Sequence, residues 1–147
     1  MENFKSSQTS WLIWVISILF LGSGIYLVIS DVYDSATKVI LIPYFIVAIA
    51  LPLLFSKLES TVYDDHISIK FGIGIIKKKI MITDIEEVTY VENKWWYGWG
   101  IRITPHGWLW NIKGKEALQF KIKGKARFFR LGCADMKAMH KAIKAKM

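Results

Sequence analysis

Residues 11–30 read WLIWVISILFLGSGIYLVIS, 20 in a row without a charged side chain. At helical rise such a run is about 30 Å long, the thickness of a bilayer's hydrocarbon core. A lone segment in lipid has no water for its backbone and satisfies itself only as a helix. Trp11 and Trp14 near one end, and Tyr26 and Tyr33 near the other, suit an aromatic belt. Residues 39–56, VILIPYFIVAIALPLLFS, form a second uncharged run of 18, closed by Lys57. Its Pro43 and Pro52 are better tolerated in a membrane helix than in a soluble one. The link DVYDSATK has eight residues, so the two helices must run antiparallel. A cleaved leader fits poorly, because its apolar stretch is about 7–15 residues and ends in a small-residue site. Two soluble core helices of this kind would need more surrounding chain than 147 residues readily supply.

Charge divides the chain at the same place. Hydrophobic residues make up 53% of it and the net charge is +8. Residues 1–57 carry Lys5, Lys38 and Lys57 against Glu2, Asp31 and Asp34, so the whole excess lies in residues 58–147. Lys and Arg stay preferentially in the cytoplasm. That places both termini inside, the acidic link outside, and the protein as a multi-pass component of the cell's inner membrane. One cysteine, Cys133, excludes a disulfide framework, and the apolar content excludes a disordered chain.

After Lys57 the pattern becomes alternating. In HISIKFG, Ile67, Ile69 and Phe71 alternate with Ser68 and Lys70, the period of a half-buried strand. Asp64-Asp65 ends the strand before it, and Gly72 and Gly74 mark the next reversal. IKKKIMI, IEEVTYVE, WGIRIT, GWLWNI, EALQFKIK and ARFFRLG follow, divided by turn residues at 105–107, 113–115 and 124–125. About seven or eight short strands at this spacing predict a sandwich or barrel. In ADMKAMHKAIKAKM, Met136, Met139 and Ile143 recur at helical spacing and Lys137, Lys141 and Lys144 form another stripe, an amphipathic helix. Asp135 suits its positive end.

This order resembles a bacterial pleckstrin-homology-like (PH-like) domain, a barrel of about seven strands closed by a C-terminal helix. The segments Tyr97-Gly98-Trp99-Gly100-Ile101-Arg102, Gly107-Trp108-Leu109-Trp110-Asn111-Ile112 and Arg130-Leu131-Gly132 look like those of small bacterial membrane proteins that join two N-terminal spans to such a domain. That family has no assigned biochemical function. The resemblance implies a two-span hairpin at residues 1–57 and a cytoplasmic PH-like domain at 58–147. Phosphoinositide-binding members of the wider fold carry several cations around the first hairpin. Here its tip is Asp64-Asp65-His66, which argues against that specificity.

No catalytic or metal pattern emerges. His66, His106 and His140 are scattered and have no ligand at metal spacing. Gly72 and Gly74 lack the rest of a phosphate-binding fingerprint. Asp84, Glu86 and Glu87 read as a solvated turn, so neither a cofactor nor an enzyme is expected. Two features remain. The aromatic run offers Trp95, Trp96, Tyr97, Trp99 and Arg102 as a candidate interaction surface or as barrel filling, with Trp95 the least buried. Lys77, Lys78, Lys79, Lys137, Lys141 and Lys144 are candidate leaflet contacts, since a domain tethered to a membrane meets anionic lipid head groups before it meets nucleic acid. The expectation is a membrane-anchored binding module whose partner is the leaflet or another membrane protein. An accessory subunit of a membrane complex is the alternative, with Gly22-Ser23-Gly24 as a close-approach face. An enzyme on a lipid-linked substrate near residues 95–102 is a more distant one.

Overall fold

The computed structural model describes residues 2–30 and 33–147; Asp31 of the acidic link lies outside the described residues. The chain opens with a strand, β1 (Glu2–Thr9), ahead of α1 (Trp11–Ile29), the short α2 (Ser35–Lys38) and α3 (Leu41–Phe55). Strands β2 (Lys57–Tyr63), β3 (His66–Phe71), β4 (Ile76–Met81), β5 (Ile85–Glu92), β6 (Gly100–Thr104), β7 (Gly107–Asn111), β8 (Glu116–Ile122) and β9 (Phe128–Leu131) follow, and α4 (Met136–Lys144) comes last.

α1 and α3 pack on each other through small and polar groups. A Cβ on Gly24 would come within 2.9 Å of the Phe45 and Tyr44 rings, while one on Gly22 would meet nothing. The Ser23 and Tyr44 hydroxyls lie 2.7 Å apart and the Tyr44 ring stacks on Phe20 at 5.3 Å. Of the expected close-approach face, Gly24 and Ser23 therefore serve contacts inside the helix pair. By length and composition α1, with 19 residues, can cross a membrane. α3 has 15 residues because regular helix begins at Leu41, after a turn at Val39 and Ile40, and it spans about 22 Å.

The strands form two sheets, ordered β1-β2-β3-β4 and β5-β8-β9-β7-β6. All pairings are antiparallel except β7 with β9. In place of the expected PH-like barrel of about seven strands, the described residues form nine strands in two sheets, with no closed barrel among them. A single turn of 3-10 helix, Ile82–Asp84, joins β4 to β5, which pair with β3 and β8 rather than with each other. Alternation places Leu58, Val62, Ile67, Ile69 and Phe71 of the first sheet against Val88, Leu118, Phe120 and Leu131 of the second. Phe71 and Trp110, 5.5 Å apart edge to face, link the layers. α4 contributes fully buried Met139 and Ile143 and packs on β1, β2 and β8. Its first turn is capped by the Asp135 carboxylate, which accepts from the Ala138 N–H at 2.9 Å.

β1 moves the expected boundary. Sequence patterning grouped residues 1–57 with the helices, yet Lys5 to Thr9 pair in unbroken antiparallel register with Lys57 to Thr61. The Ser10 N–H donates to the Ser56 carbonyl at 2.8 Å, so the helix pair leaves and re-enters the sheet at one point. On the outer face Glu59 lies 3.2 Å from Lys5 and 3.0 Å from Lys57. The hydrogen bond from Lys57 is the main cause holding the Glu59 carboxyl below its ordinary 4.5, with Lys5 adding to it. A carboxyl depressed in the folded state stabilises above the ordinary range, and that contribution is lost as pH falls through the folded value.

The β3–β4 turn fastens the far end of α3. The Ile73 N–H donates to the Leu53 carbonyl at 3.0 Å and the Gly72 N–H to Lys57 at 2.7 Å, satisfying a last-turn carbonyl left open by the helix. Gly72 has φ +51°, and a Cβ there would overlap the Leu53 carbonyl oxygen.

Two outcomes follow from this construction. Replacing residues 11–55 by a turn of about four residues should yield a soluble, cooperatively melting β domain, because β1 and β2 then form an ordinary hairpin. A fragment of residues 58–147 should melt well below it by circular dichroism; equal midpoints would show β1 to be dispensable. Gly72→Ala should cost about 2 kcal/mol or more, read as a drop of about 5 °C in the melting midpoint of the intact chain in detergent.

Candidate functional site

Between β5 and β6 the chain makes one turn of 3-10 helix, Trp95–Tyr97. Gly98 and Gly100, at φ +67° and +99°, then swing it back toward the sheet, a route side-chain-bearing residues take only with strain. This geometry throws the aromatics outward. Trp95 is 75% exposed, Trp96 59% and Trp99 49%, whereas Trp110, in the sheet, is 8% exposed. Trp95 is therefore the least buried of the group, and of Trp96, Trp99, Trp108 and Trp110 only Trp110 is buried in the core between the sheets. Lys94 Nζ lies over the Trp96 ring at 5.0 Å, and Trp96 meets Trp95 and Tyr97 edge to face. Arg102 Nε donates to the Trp99 carbonyl at 3.0 Å, which binds the start of β6 to the loop.

Behind the loop lies a polar group whose members, Arg130, Gln119 and Asn93, the sequence does not link to one another. Arg130 is buried on β9 and donates from Nε to Gln119 at 2.9 Å and from Nη1 to Asn93 Oδ1 at 3.0 Å. Burial pulls its guanidinium below the usual range. Asn93, also buried, keeps its Nδ2 without a hydrogen-bond partner.

Two cavities meet at this loop. One of about 410 Å³ lies at the base of the helix pair, lined by Leu12, Ile13 and Ile16 of α1, Leu51 and Phe55 of α3, and Trp99 to Arg102. The other, of about 230 Å³, is lined by Asn93, Lys94, Trp95, Asn111 and Lys115 among others. Trp99 lines both. The sequence pointed to Trp95, Trp99 and Arg102 but did not place Lys115 or Ile13 beside them, since both are distant along the chain.

The expected leaflet lysines do not share one face. Lys77 and Lys79 are exposed on β4, while Lys78 lies on the inner parity with Ile76 and Ile80. Its ammonium sits 4.9 Å from the Phe129 ring and 5.9 Å from Trp110. Desolvation there, chiefly, lowers its pKa. Lys137, Lys141 and Lys144 are exposed on α4. That helix begins beside Ser6, whose hydroxyl accepts from the Ala134 N–H, and ends where Lys146 meets Asp64 at 2.7 Å. Asp64 follows β2's last residue, roughly 20 Å from Lys57 at strand rise, so the stripe runs away from the helix pair.

Among the described residues no three His, Cys, Asp or Glu gather to hold a metal. His66 lies 2.6 Å from Asp65 and stacks on Tyr63, and His140 packs on Tyr90. Glu86 and Glu87 are exposed on β5. Cys133 is buried, and desolvation pushes its thiol up to about 11. Its alkylation by iodoacetamide near pH 8 should be about a hundredfold slower than that of free cysteine, and ordinary reactivity in the folded chain would contradict that burial. Compared with protein-family models, curated proteins and solved structures, the chain matches none.

Proposed function

We propose that this protein is a membrane-anchored PH-like binding module, held at the cytoplasmic leaflet of the inner membrane by a two-span hairpin, with both ends of the chain inside. It works by binding, and its partner is another membrane protein or the leaflet itself. The observation that carries this reading is the uncovered apolar surface of the helix pair. Of α1 only Ser17 and Gly24 are buried, and of α3 only Ala48 and Pro52. Ile18, Leu19, Ile29, Ile46 and Val47 all face outward. Water at such a surface costs about 25 cal/mol for each Å², and lipid removes that cost. The apolar surface continues onto the β3–β4 turn, where Ile73 and Ile75 are exposed beside the last turn of α3. Val39 and Ile40 are exposed too and lengthen the apolar path of α3, with local thinning of the bilayer taking up the remainder.

Charge supports the orientation. The domain that carries the excess of Lys and Arg joins the hairpin at Ser10 and Ser56, and Asp34 of the link lies at the other end, as the positive-inside rule requires. The cations best placed for the leaflet are Lys70 and Lys77, paired in register beside the Ile73–Ile75 turn. These replace the α4 stripe in that role. The PH-like likeness is supported by the four-stranded meander, the second sheet and the C-terminal helix. Two features depart from it: the first strand precedes the helix pair, and β7 runs parallel to β9.

Because Cys133 is buried, single cysteines introduced at Ser35 and Lys144 give a clean topology test. Ser35→Cys should react with an impermeant maleimide on intact cells stripped of any outer barrier, and Lys144→Cys only after lysis. The reverse pattern would overturn the orientation. A photo-crosslinking residue at Trp96 should capture lipid or a membrane protein in the native membrane. Capture of neither would leave no basis for a binding role at that loop.

A further inference from the structure

We propose that the two cavities meeting at Trp99 form one site for an anionic phospholipid of the surrounding bilayer, an acyl chain lying in the larger and the phosphate in the smaller. The proposal rests on the reading of α1 and α3 as lipid-embedded. Leu12 and Ile16 lie one turn apart at the start of α1, and Leu51 and Phe55 one turn apart at the end of α3. The larger cavity therefore sits at the ends of the helices nearest the domain, where hydrocarbon gives way to head groups. Apart from Arg102 at its edge, and the small Ser10, its side chains are apolar. Its volume falls in the range of about 300–1,000 Å³ usual for small-molecule sites.

The smaller cavity has the opposite chemistry. Lys94 and Lys115 line it, and so does Asn93, whose buried Nδ2 has no partner. Ammonium groups at a cavity wall pair with a phosphate through charge-assisted hydrogen bonds. Arg102, Lys94 and Lys115 are three cations, and among the described residues no carboxylate lines either cavity. A soluble anion would leave the apolar cavity idle, and a neutral lipid would leave the cations idle. A ligand with an anionic head and a hydrocarbon tail uses both, and the bilayer supplies it.

The test uses the intact chain, purified in neutral detergent and stripped of lipid, then titrated with phosphatidylglycerol or phosphatidylcholine and read by native mass spectrometry. Phosphatidylglycerol should bind at least about tenfold more tightly. Arg102→Gln and the double change Lys94→Gln with Lys115→Gln should each weaken it several-fold, as should Ile13→Trp, which fills the apolar cavity. Lys146→Gln, at the far end of the domain, should change nothing. Equal binding of the two lipids, indifference to Arg102→Gln and Ile13→Trp, or displacement by glycerol phosphate alone would overturn the proposal. Alkaline carbonate extraction separates the two levels. A chain that stays in the membrane but retains no phosphatidylglycerol refutes this site alone, whereas a chain released by carbonate refutes the embedded helices as well.

Discussion

The pairing of β1 with β2 is the constraint on which the rest of the molecule hangs. Without it the helices would be a tether ahead of a separate domain. With it they are an insertion into an antiparallel hairpin, closed by the hydrogen bond from Ser10 to Ser56. Loop-closure entropy grows only slowly with length, so nearly fifty residues between paired strands are no great obstacle. If those residues first pair as two helices, the strand ends are delivered side by side. β1 then covers β2's edge and offers Ser6 to the backbone ahead of α4. The C-terminal helix thus packs on a strand from the other end of the chain.

Much of this was legible, because alternation reports which face of a strand is buried. Each of β2 to β9 coincides with a segment where apolar and polar residues alternate or aromatics cluster, and Met139 and Ile143 marked the buried side of α4. β1 was illegible for the same physical reason. Its inward residues include Ser6 and Gln8, which are buried yet polar, so no hydrophobic period betrays it. Alternation also says nothing about which strand pairs with which. A closed barrel and two sheets joined by a single 3-10 turn have the same pattern, and the choice between them lies in the pairings of β4 and β5.

The tryptophans and lysines show a related limit. Trp108 and Trp110 share a parity on β7, yet Trp110 is covered and Trp108 is 46% exposed. Whether the opposing sheet reaches a position is a tertiary fact. Lys78 likewise sits between two lysines that face outward, and only the third dimension sets its ammonium over Phe129 and Trp110. The helical lysine stripe was read correctly as a face, but its direction depends on where α4 ends, at the ion pair of Lys146 with Asp64. A charge pattern therefore identifies a surface more readily than it identifies what that surface confronts.

Attachment at several points has a consequence for binding. A domain on one flexible linker samples many orientations, and a partner must remove that freedom when it binds. Here the chain enters the helix pair after β1 and leaves it before β2, the Ser10 amide bonds to Ser56, and the Ile73 amide bonds to Leu53 in the last turn of α3. These connections surround the base of the hairpin, so rotation of the sheet against the helices would break hydrogen bonds rather than merely turn a linker. The loop bearing Trp95, Trp96 and Trp99 is consequently held at one height beside α1 and α3. On the membrane reading it presents its aromatics at the lipid boundary already oriented. On the proposed binding role, affinity for a partner in the same bilayer would depend on the contacts the loop makes, with little freedom of the domain left to lose.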